Sequence, residues 1–204
     1  MENLGEDTDT RECEAMRKVF VGGLNRITDD NSFFEYFSQF GNTIDKVIIR
    51  DNQSGQSKGF GFITFDCSDA VENCFKSRPH VLDEKTLDVK RAMPRDINTA
   101  AAHQRVTKLF IGGVGDEITE EQIKEYIVER HPPSIGTVDK IDLVKDKESG
   151  KNKGFGFIEC SDTDFADRLV ISEANFKLAG KELRIKKSDS KYLFKTCFIY
   201  IKYI

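Results

Sequence analysis

Short runs in which apolar and polar residues alternate are separated along the chain by helical stripes. The run Lys18–Leu24 places its valines on one side, which predicts a strand with one buried face. Phe33, Phe37 and Phe40 recur at the i, i+4, i+7 spacing of a buried helix face. Thr28 precedes this stripe and is predicted to be the N-cap of the helix.

The same order of elements occurs twice. In the first half the other predicted elements are strands Asp45–Arg50, Lys58–Phe65 and Leu87–Arg91 and helix Ser68–Ser77, with Gly41 ending the first helix. In the second half they are strands Lys108–Val114, Lys140–Val144, Lys153–Cys160 and Leu183–Lys187, a helix with a Thr119/Gln122 capping box, and helix Asp162–Ser172. The order βαββαβ predicts an α+β protein with two ferredoxin-like domains in tandem. Each is a four-stranded antiparallel sheet with two helices on one face.

An octapeptide that occurs in both halves carries the main functional signal. In Lys58–Phe65 and in Lys153–Cys160, alternation puts glycines on one side and a lysine with two phenyl rings on the other. Those ring-side residues are Lys58, Phe60 and Phe62 in the first copy and Lys153, Phe155 and Phe157 in the second. Exposed rings beside a cation are typical of surfaces that stack unpaired nucleic-acid bases.

The predicted first strand of each half adds one more ring to the same surface. Phe20 and Phe110 point away from the apolar side of these strands, with Lys18 and Lys108 beside them. Alternation adds residues of the second and fourth strands to the same sheet surfaces. These are Asp45, Val47, Ile49, Asp88 and Lys90 in the first half, and Lys140, Asp142, Val144, Arg184 and Lys186 in the second. The alternative interpretation is that the rings cover an internal helix or a protein partner.

The octapeptide and the upstream run resemble the two signatures of the RNA-recognition motif (RRM) family, whose longer pattern is K/R-G-F/Y-G/A-F-V-x-F/Y. Cys160 departs from the final aromatic position, on the side that faces the core. The resemblance implies that Phe20 and Phe62 stack successive bases while Phe60 packs against sugar. It implies the same roles for Phe110, Phe157 and Phe155, and phosphate contacts for Lys58 and Lys153.

The net negative charge argues only weakly against nucleic-acid binding, and the composition along the chain indicates the domain limits. The chain has 204 residues and a net charge of −4, but the negative charge is concentrated in the first fourteen residues. We predict an acidic disordered tail at 1–16, domains at 17–92 and 107–188, a linker at 93–106, and an atypical hydrophobic extension at 189–204. That extension is too short and too rich in lysine to span a bilayer, so no membrane partner is expected.

Cysteine and histidine positions do not favour a catalytic or metal site. The five cysteines form no C-x-x-C pair and the three histidines are not spaced for zinc with them, so no metal is expected. The odd number of cysteines and the lack of a secretory signal predict a reducing compartment, nucleus or cytosol. Cys67, Cys74 and Cys160 are predicted to be small buried residues. A dinucleotide loop is disfavoured because neither glycine pair is followed by the third glycine. We therefore expect neither an enzyme nor a cofactor.

One branch of the family resembles the chain more closely, the A/B group of heterogeneous nuclear ribonucleoproteins. The resemblance rests on Lys90-Arg91-Ala92, Arg78-Pro79-His80, Ala102-His103 and the short linker. It implies two interdomain salt bridges, Arg78 with Asp162 and Arg91 with Asp164. It also implies RNA contacts from linker residues Met93, Arg95 and His103.

The A/B resemblance further implies sequence-selective binding of single-stranded RNA in splicing regulation or in mRNA packaging and transport. A nuclear location, with shuttling to the cytoplasm, and other ribonucleoprotein components as partners follow from the same resemblance. Two alternatives remain open at this point. One is binding of single-stranded DNA of the telomeric type, and the other is an RRM-type protein-interaction module.

Overall fold

A computed structural model describes residues 14–94 and 104–188, and the chain divides into two compact units between Pro94 and Arg95. The predicted tail and C-terminal extension, and most of the linker, lie outside the described residues. Each unit is a domain considered by itself. The first comprises β1 (Lys18–Gly22), α1 (Asp30–Ser38), β2 (Thr43–Arg50), β3 (Ser57–Phe65), α2 (Ser68–Lys76), β4 (His80–Leu82) and β5 (Lys85–Arg91).

The second domain repeats this plan. It comprises β6 (Lys108–Gly112), α3 (Glu120–Arg130), a 3₁₀ turn (Pro133–Ile135), β7 (Val138–Lys145), β8 (Asn152–Cys160), α4 (Thr163–Ser172), β9 (Asn175–Leu178) and β10 (Lys181–Lys187). The strand order is β2-β3-β1-β5-β4 in the first sheet and β7-β8-β6-β10-β9 in the second. All these pairings are antiparallel, which confirms the predicted tandem α+β fold.

The core of each domain lies between its helices and one face of its sheet. In the first domain the β1 valines Val19 and Val21 are fully buried with Phe33 and Phe37 of α1. In the second domain the corresponding buried residues are Leu109, Ile111, Ile123 and Ile127. The alternate residues of the central strands therefore face the opposite, helix-free side of the sheet.

Each sheet has five strands rather than the predicted four, because a short hairpin precedes the last strand. Leu82 pairs with Lys85 in the first domain and Leu178 with Lys181 in the second. The two-residue turns need left-handed backbone, and Asp83 has φ 48°. Asn-Gly is the usual signal for such turns, and neither Asp83-Glu84 nor Ala179-Gly180 matches it, so the hairpin signal in the sequence is weak.

The cap of α1 is Asp29 and not the predicted Thr28. The Asp29 carboxylate accepts hydrogen bonds from the backbone of Asn31 and Ser32, both at 2.8 Å. The bond from Ser32 is the main reason that the pKa of Asp29 lies below its usual value. Thr28 is instead buried, and its hydroxyl donates to Asp83 Oδ2 at 2.6 Å, which ties the helix entry to the β4–β5 turn.

Gly41 has a packing role and does not end α1, which stops at Ser38 with Gln39 as its C-cap. A Cβ atom on Gly41 would overlap the side chain of Ala70 in α2. The predicted capping box of α3, formed by Thr119 and Gln122, is confirmed.

Cysteines 74 and 160 are buried as predicted, and burial raises the pKa of each thiol to about 12. Cys67 is exposed, contrary to prediction, because it occupies the position just before the first turn of α2. No helix in residues 14–94 and 104–188 is long and apolar enough to cross a membrane.

A buried polar cluster joins the ends of α3 and α4 in the second domain. The Glu173 carboxylate lies 3.1 Å from His131 Nε2 and accepts a hydrogen bond from the Tyr126 hydroxyl, also at 3.1 Å. Burial alone would raise the pKa of Glu173. The hydrogen bond and charge of His131, followed by the Tyr126 bond, outweigh it and hold that pKa below the ordinary value of 4.5.

Replacing Glu173 by glutamine is expected to reduce the acid sensitivity of the second domain. A carboxylate with a depressed pKa stabilises the fold above its ordinary pKa and loses that contribution as the pH falls through the folded value. Thermal unfolding between about pH 3 and pH 6 measures the slope. Glu129→Gln, at a side chain that is 75% exposed, is the control. Equal slopes below pH 4.5 for wild type and Glu173→Gln would contradict the assignment.

Candidate nucleic-acid interface

Three phenyl rings form a cluster on the helix-free side of the first sheet. Phe20 on β1 pairs directly with Phe62 on β3, so the two side chains share a face. The Phe20 ring centroid lies 5.7 Å from that of Phe60, with the rings 29° apart, and 5.7 Å from that of Phe62 at 70°. All three rings are half-buried, so they pack on one another and keep part of their surface accessible. We call this surface the ring face of the first domain.

The second domain has a ring face of nearly the same geometry. Phe110 lies 5.8 Å from Phe155 at 18° and 6.1 Å from Phe157 at 78°. Phe110 and Phe157 are half-buried, but Phe155 is only 8% exposed. The expectation that all six rings are open to solvent is therefore wrong at Phe155. Its ring centroid also lies 6.3 Å from that of Phe157.

Lysines lie over three of the six rings. The ammonium of Lys90 is 5.1 Å from the centroid of Phe20, that of Lys186 is 5.3 Å from Phe110, and that of Lys108 is 5.2 Å from Phe157. These are cation–π distances, and the side chains are long enough to move aside for a base. Each ring face thus has a lysine ammonium beside its stacking surface.

The second strand of each sheet contributes to the ring face at two of the three predicted positions, because Asp45 pairs with Thr64 and Lys140 pairs with Glu159. Val47 pairs with Phe62 and is 39% exposed, and Asp142 pairs with Phe157. Ile49 and Val144 are half-buried and lie at the register shifts of β2 and β7, so simple alternation does not assign their face.

The register also assigns Lys18 to the ring face, because it pairs with Thr64, two residues beyond Phe62 on β3. In the second domain Arg184 pairs with Gly112 and lies on the ring side of β10. The Arg184 guanidinium lies 3.5 Å from Glu182, and its side chain is 69% exposed.

The strand alternation does not by itself place Lys58 and Lys153 on the same side of the sheet as the rings. Gly59 and Gly154 have φ of 80° and 83°, and each lies in an irregular stretch of the β3 or β8 pairing. The regular alternation used to align these lysines with the rings is interrupted there. The Lys58 ammonium lies 4.0 Å from Asp51 Oδ2, and that of Lys153 lies 3.6 Å from Asp146 Oδ2, so both lie close to the preceding loop.

Two ring-face residues were missed in the sequence. Thr64 pairs with Lys18, and Glu159 pairs with Lys108, so each follows the rings along its strand. Extending the alternation of the octapeptide by one more step would have identified both. Thr64 is 2% exposed, and its hydroxyl has no hydrogen-bond partner in the described part of the chain.

The residues proposed for interdomain pairing have defined roles within their own domains. Arg91 is buried, forms an ion pair with Glu72 of α2, and donates to the carbonyl of Met16 at 3.1 Å. Asp162 caps α4 by accepting from the backbone of Phe165 at 2.8 Å. The guanidinium of Arg78 lies 4.0 Å from the centroid of the Phe75 ring.

Pairing of Arg78 with Asp162 and of Arg91 with Asp164 remains a prediction. Among the linker residues, Met93 is half-buried, whereas Arg95 and His103 lie outside the described residues. Within 14–94 and 104–188, no group of three or more His, Cys, Asp or Glu could hold a metal ion.

Comparison with known proteins decides the family. The model of the RNA recognition motif matches residues 19–87 and 109–184, which include both ring faces. The chain belongs to the RNA recognition motif family. This family is not generally enzymatic.

Solved structures of other RNA recognition motif proteins are similar to the chain. The RNA-binding domain of Hrp1 in complex with RNA is 31% identical, covering 87% of this chain and 99% of that one, with a TM-score of 0.39. The two RNA recognition domains of Drosophila melanogaster Sex-lethal are 20% identical over 84% of this chain and 99% of that one, with a TM-score of 0.40. The second domain of yeast poly(U)-binding protein Pub1 is 29% identical over 38% of this chain and 94% of that one, with a TM-score of 0.36.

Proposed function

We propose that the chain binds single-stranded RNA by stacking bases on its two ring faces. The observation that carries this proposal is that the same three-ring cluster, with a lysine over a ring, occurs in both domains. A base can replace the ammonium over a ring, and the displaced lysine can then meet the adjacent phosphate. Membership in the RNA recognition motif family supports RNA as the ligand.

Selection from a random RNA pool, with a single-stranded DNA competitor and a salt series, tests this proposal. Enriched RNAs are expected to share short unpaired motifs, and DNA of the same sequence is expected to compete poorly. If each domain neutralises about three phosphates, the logarithm of affinity falls with the logarithm of salt at a slope of about −2 per domain. DNA that competes as well as RNA would favour the single-stranded DNA alternative.

Within RNA metabolism, the resemblance to the A/B group supports a role in splicing regulation or in mRNA packaging and transport. The role includes a nuclear location with shuttling and association with other ribonucleoprotein components. Crosslinking of the tagged full chain to cellular RNA, with separate nuclear and cytoplasmic fractions, tests this role. Crosslinks confined to cytoplasmic spliced transcripts would contradict the splicing part of the proposal.

A further inference from the structure

The second ring face carries a carboxylate that its motif does not require. Glu159 lies two residues beyond Phe157 on β8 and pairs with Lys108 on β6 and Lys140 on β7. Its side chain is 43% exposed. Glu159 is therefore on the ring side of the sheet and accessible to a bound nucleotide.

Lysines balance the negative charge at this position. Lys108 Nζ lies 3.0 Å from Glu159 Oε1, and Lys140 Nζ lies 2.6 Å from Asp142 Oδ1. Two acids paired with two lysines give no net charge that would repel phosphate. An ionised carboxylate has about four acceptor sites, so each acid keeps sites for a base after its lysine is bound.

The first domain arranges its charges differently next to the corresponding ring, because its second-strand carboxylate, Asp45, pairs with Thr64 rather than with Phe62. Thr64 occupies the position of Glu159, and Val47 occupies the position of Asp142 beside Phe62. Neither side chain carries a charge. The two domains therefore offer similar rings for stacking but different groups to the edge of a stacked base.

Strand geometry puts both carboxylates within reach of a base on Phe157. Asp142 is in the neighbouring strand, about 4.8 Å away, and Glu159 is two residues along the same strand, about 6.7 Å away. Carboxylates accept hydrogen bonds from the exocyclic amino group of cytosine. Uracil has a carbonyl oxygen at that position, which would leave acceptor facing acceptor.

We infer that Glu159, together with Asp142, makes the second domain select bases that carry an exocyclic amino group, so that cytosine is favoured over uracil at the nucleotide stacked on Phe157. This inference rests on the proposed function, because it assumes a base on the second ring face. It assigns Glu159 a role in specificity rather than in general affinity.

The test uses the full chain with Phe20→Ala and Phe62→Ala, which leaves the second domain as the main stacking surface. Its probes are two RNAs of about eight nucleotides, one of cytidine and one of uridine. We expect the cytidine RNA to bind about ten-fold more tightly. Adding Glu159→Thr, the residue found in the first domain, should bring that ratio close to one by weakening cytidine binding.

Glu129→Thr is the matched control, because it removes one negative charge from the exposed helical side of the same domain. It should leave the cytidine-to-uridine ratio unchanged. If neither RNA binds the Phe20→Ala/Phe62→Ala variant, the specificity inference is overturned, whereas the proposed function is judged separately by whether the wild-type chain binds the RNAs selected from the random pool. If both bind and Glu159→Thr either changes nothing or strengthens both equally, the specificity inference is overturned while RNA binding stands.

Discussion

Replacing Phe20 and Phe62 by alanine is expected to weaken binding of single-stranded RNA by the first domain about 30-fold or more. Stacking contributes about 1–3 kcal/mol per base by alanine substitution, and this variant removes two stacking rings. Phe110→Ala with Phe157→Ala should do the same in the second domain. On an RNA long enough for both domains, combining the two pairs should also remove an avidity gain on the order of 10²–10⁴.

The first domain supplies a matched control for these ring variants. Phe34 on α1 lies on the helical side, with the Lys46 ammonium 3.9 Å from its ring centroid, so it reproduces the ring and cation pairing away from the ring face. Phe34→Ala should leave RNA affinity within about two-fold of wild type. Fluorescence anisotropy gives the affinities, and circular dichroism verifies that each variant is folded. Wild-type affinity in the Phe20/Phe62 variant would contradict the assignment of the site.

The ring face could be identified from the sequence because alternation along a strand is a local pattern and because the ring motif occurs in both halves. A period of two places Phe20 and Phe62 opposite the buried valines, and the register confirms this arrangement. The same motifs and the same order of elements occur in both halves, so the assignment made in one half could be checked in the other. The second half has a 3₁₀ turn, Pro133–Ile135, between α3 and β7.

The features that the sequence did not predict depend on tertiary contacts or on departures from regular geometry. The left-handed backbone at Gly59 interrupts the regular alternation of β3, so the side of the sheet on which Lys58 lies does not follow from the positions of the rings. Thr28 resembles a helix cap in the local sequence, but its hydroxyl bonds to Asp83, which is 55 residues farther along the chain. Phe155 is only 8% exposed, although the alternation of the octapeptide places it with the accessible rings.

Changing Lys187 to methionine is expected to destabilise the second domain by about 3–5 kcal/mol, because it removes the cation that is paired with the buried carboxylate of Asp167. The Lys187 ammonium lies 2.6 Å from Asp167 Oδ1, and the side chains are only 3% and 7% exposed. The Lys187 ammonium also donates a hydrogen bond to the carbonyl of Gln104 at 2.7 Å.

The first domain has the same arrangement of contacts, because Arg91 forms an ion pair with Glu72 and donates a hydrogen bond to the carbonyl of Met16. In both domains a cation at the end of the last strand therefore joins the second helix to the chain that enters the first strand. Glu72 is 18% exposed, more than Asp167, so water can partly compensate its charge. Arg91→Met should consequently cost less stability than Lys187→Met.

The double variant Lys187→Met with Asp167→Leu separates loss of the charge pair from loss of packing. Removing both charges from a buried pair is often neutral or stabilising, so this variant should recover most of the stability. Urea unfolding followed by hydrogen exchange of β6 and β8 peptides measures the second domain separately from the first. If the double variant is as unstable as Lys187→Met, then the bond to Gln104 or the packing of the lysine side chain, rather than the loss of the charge pair, accounts for the destabilisation.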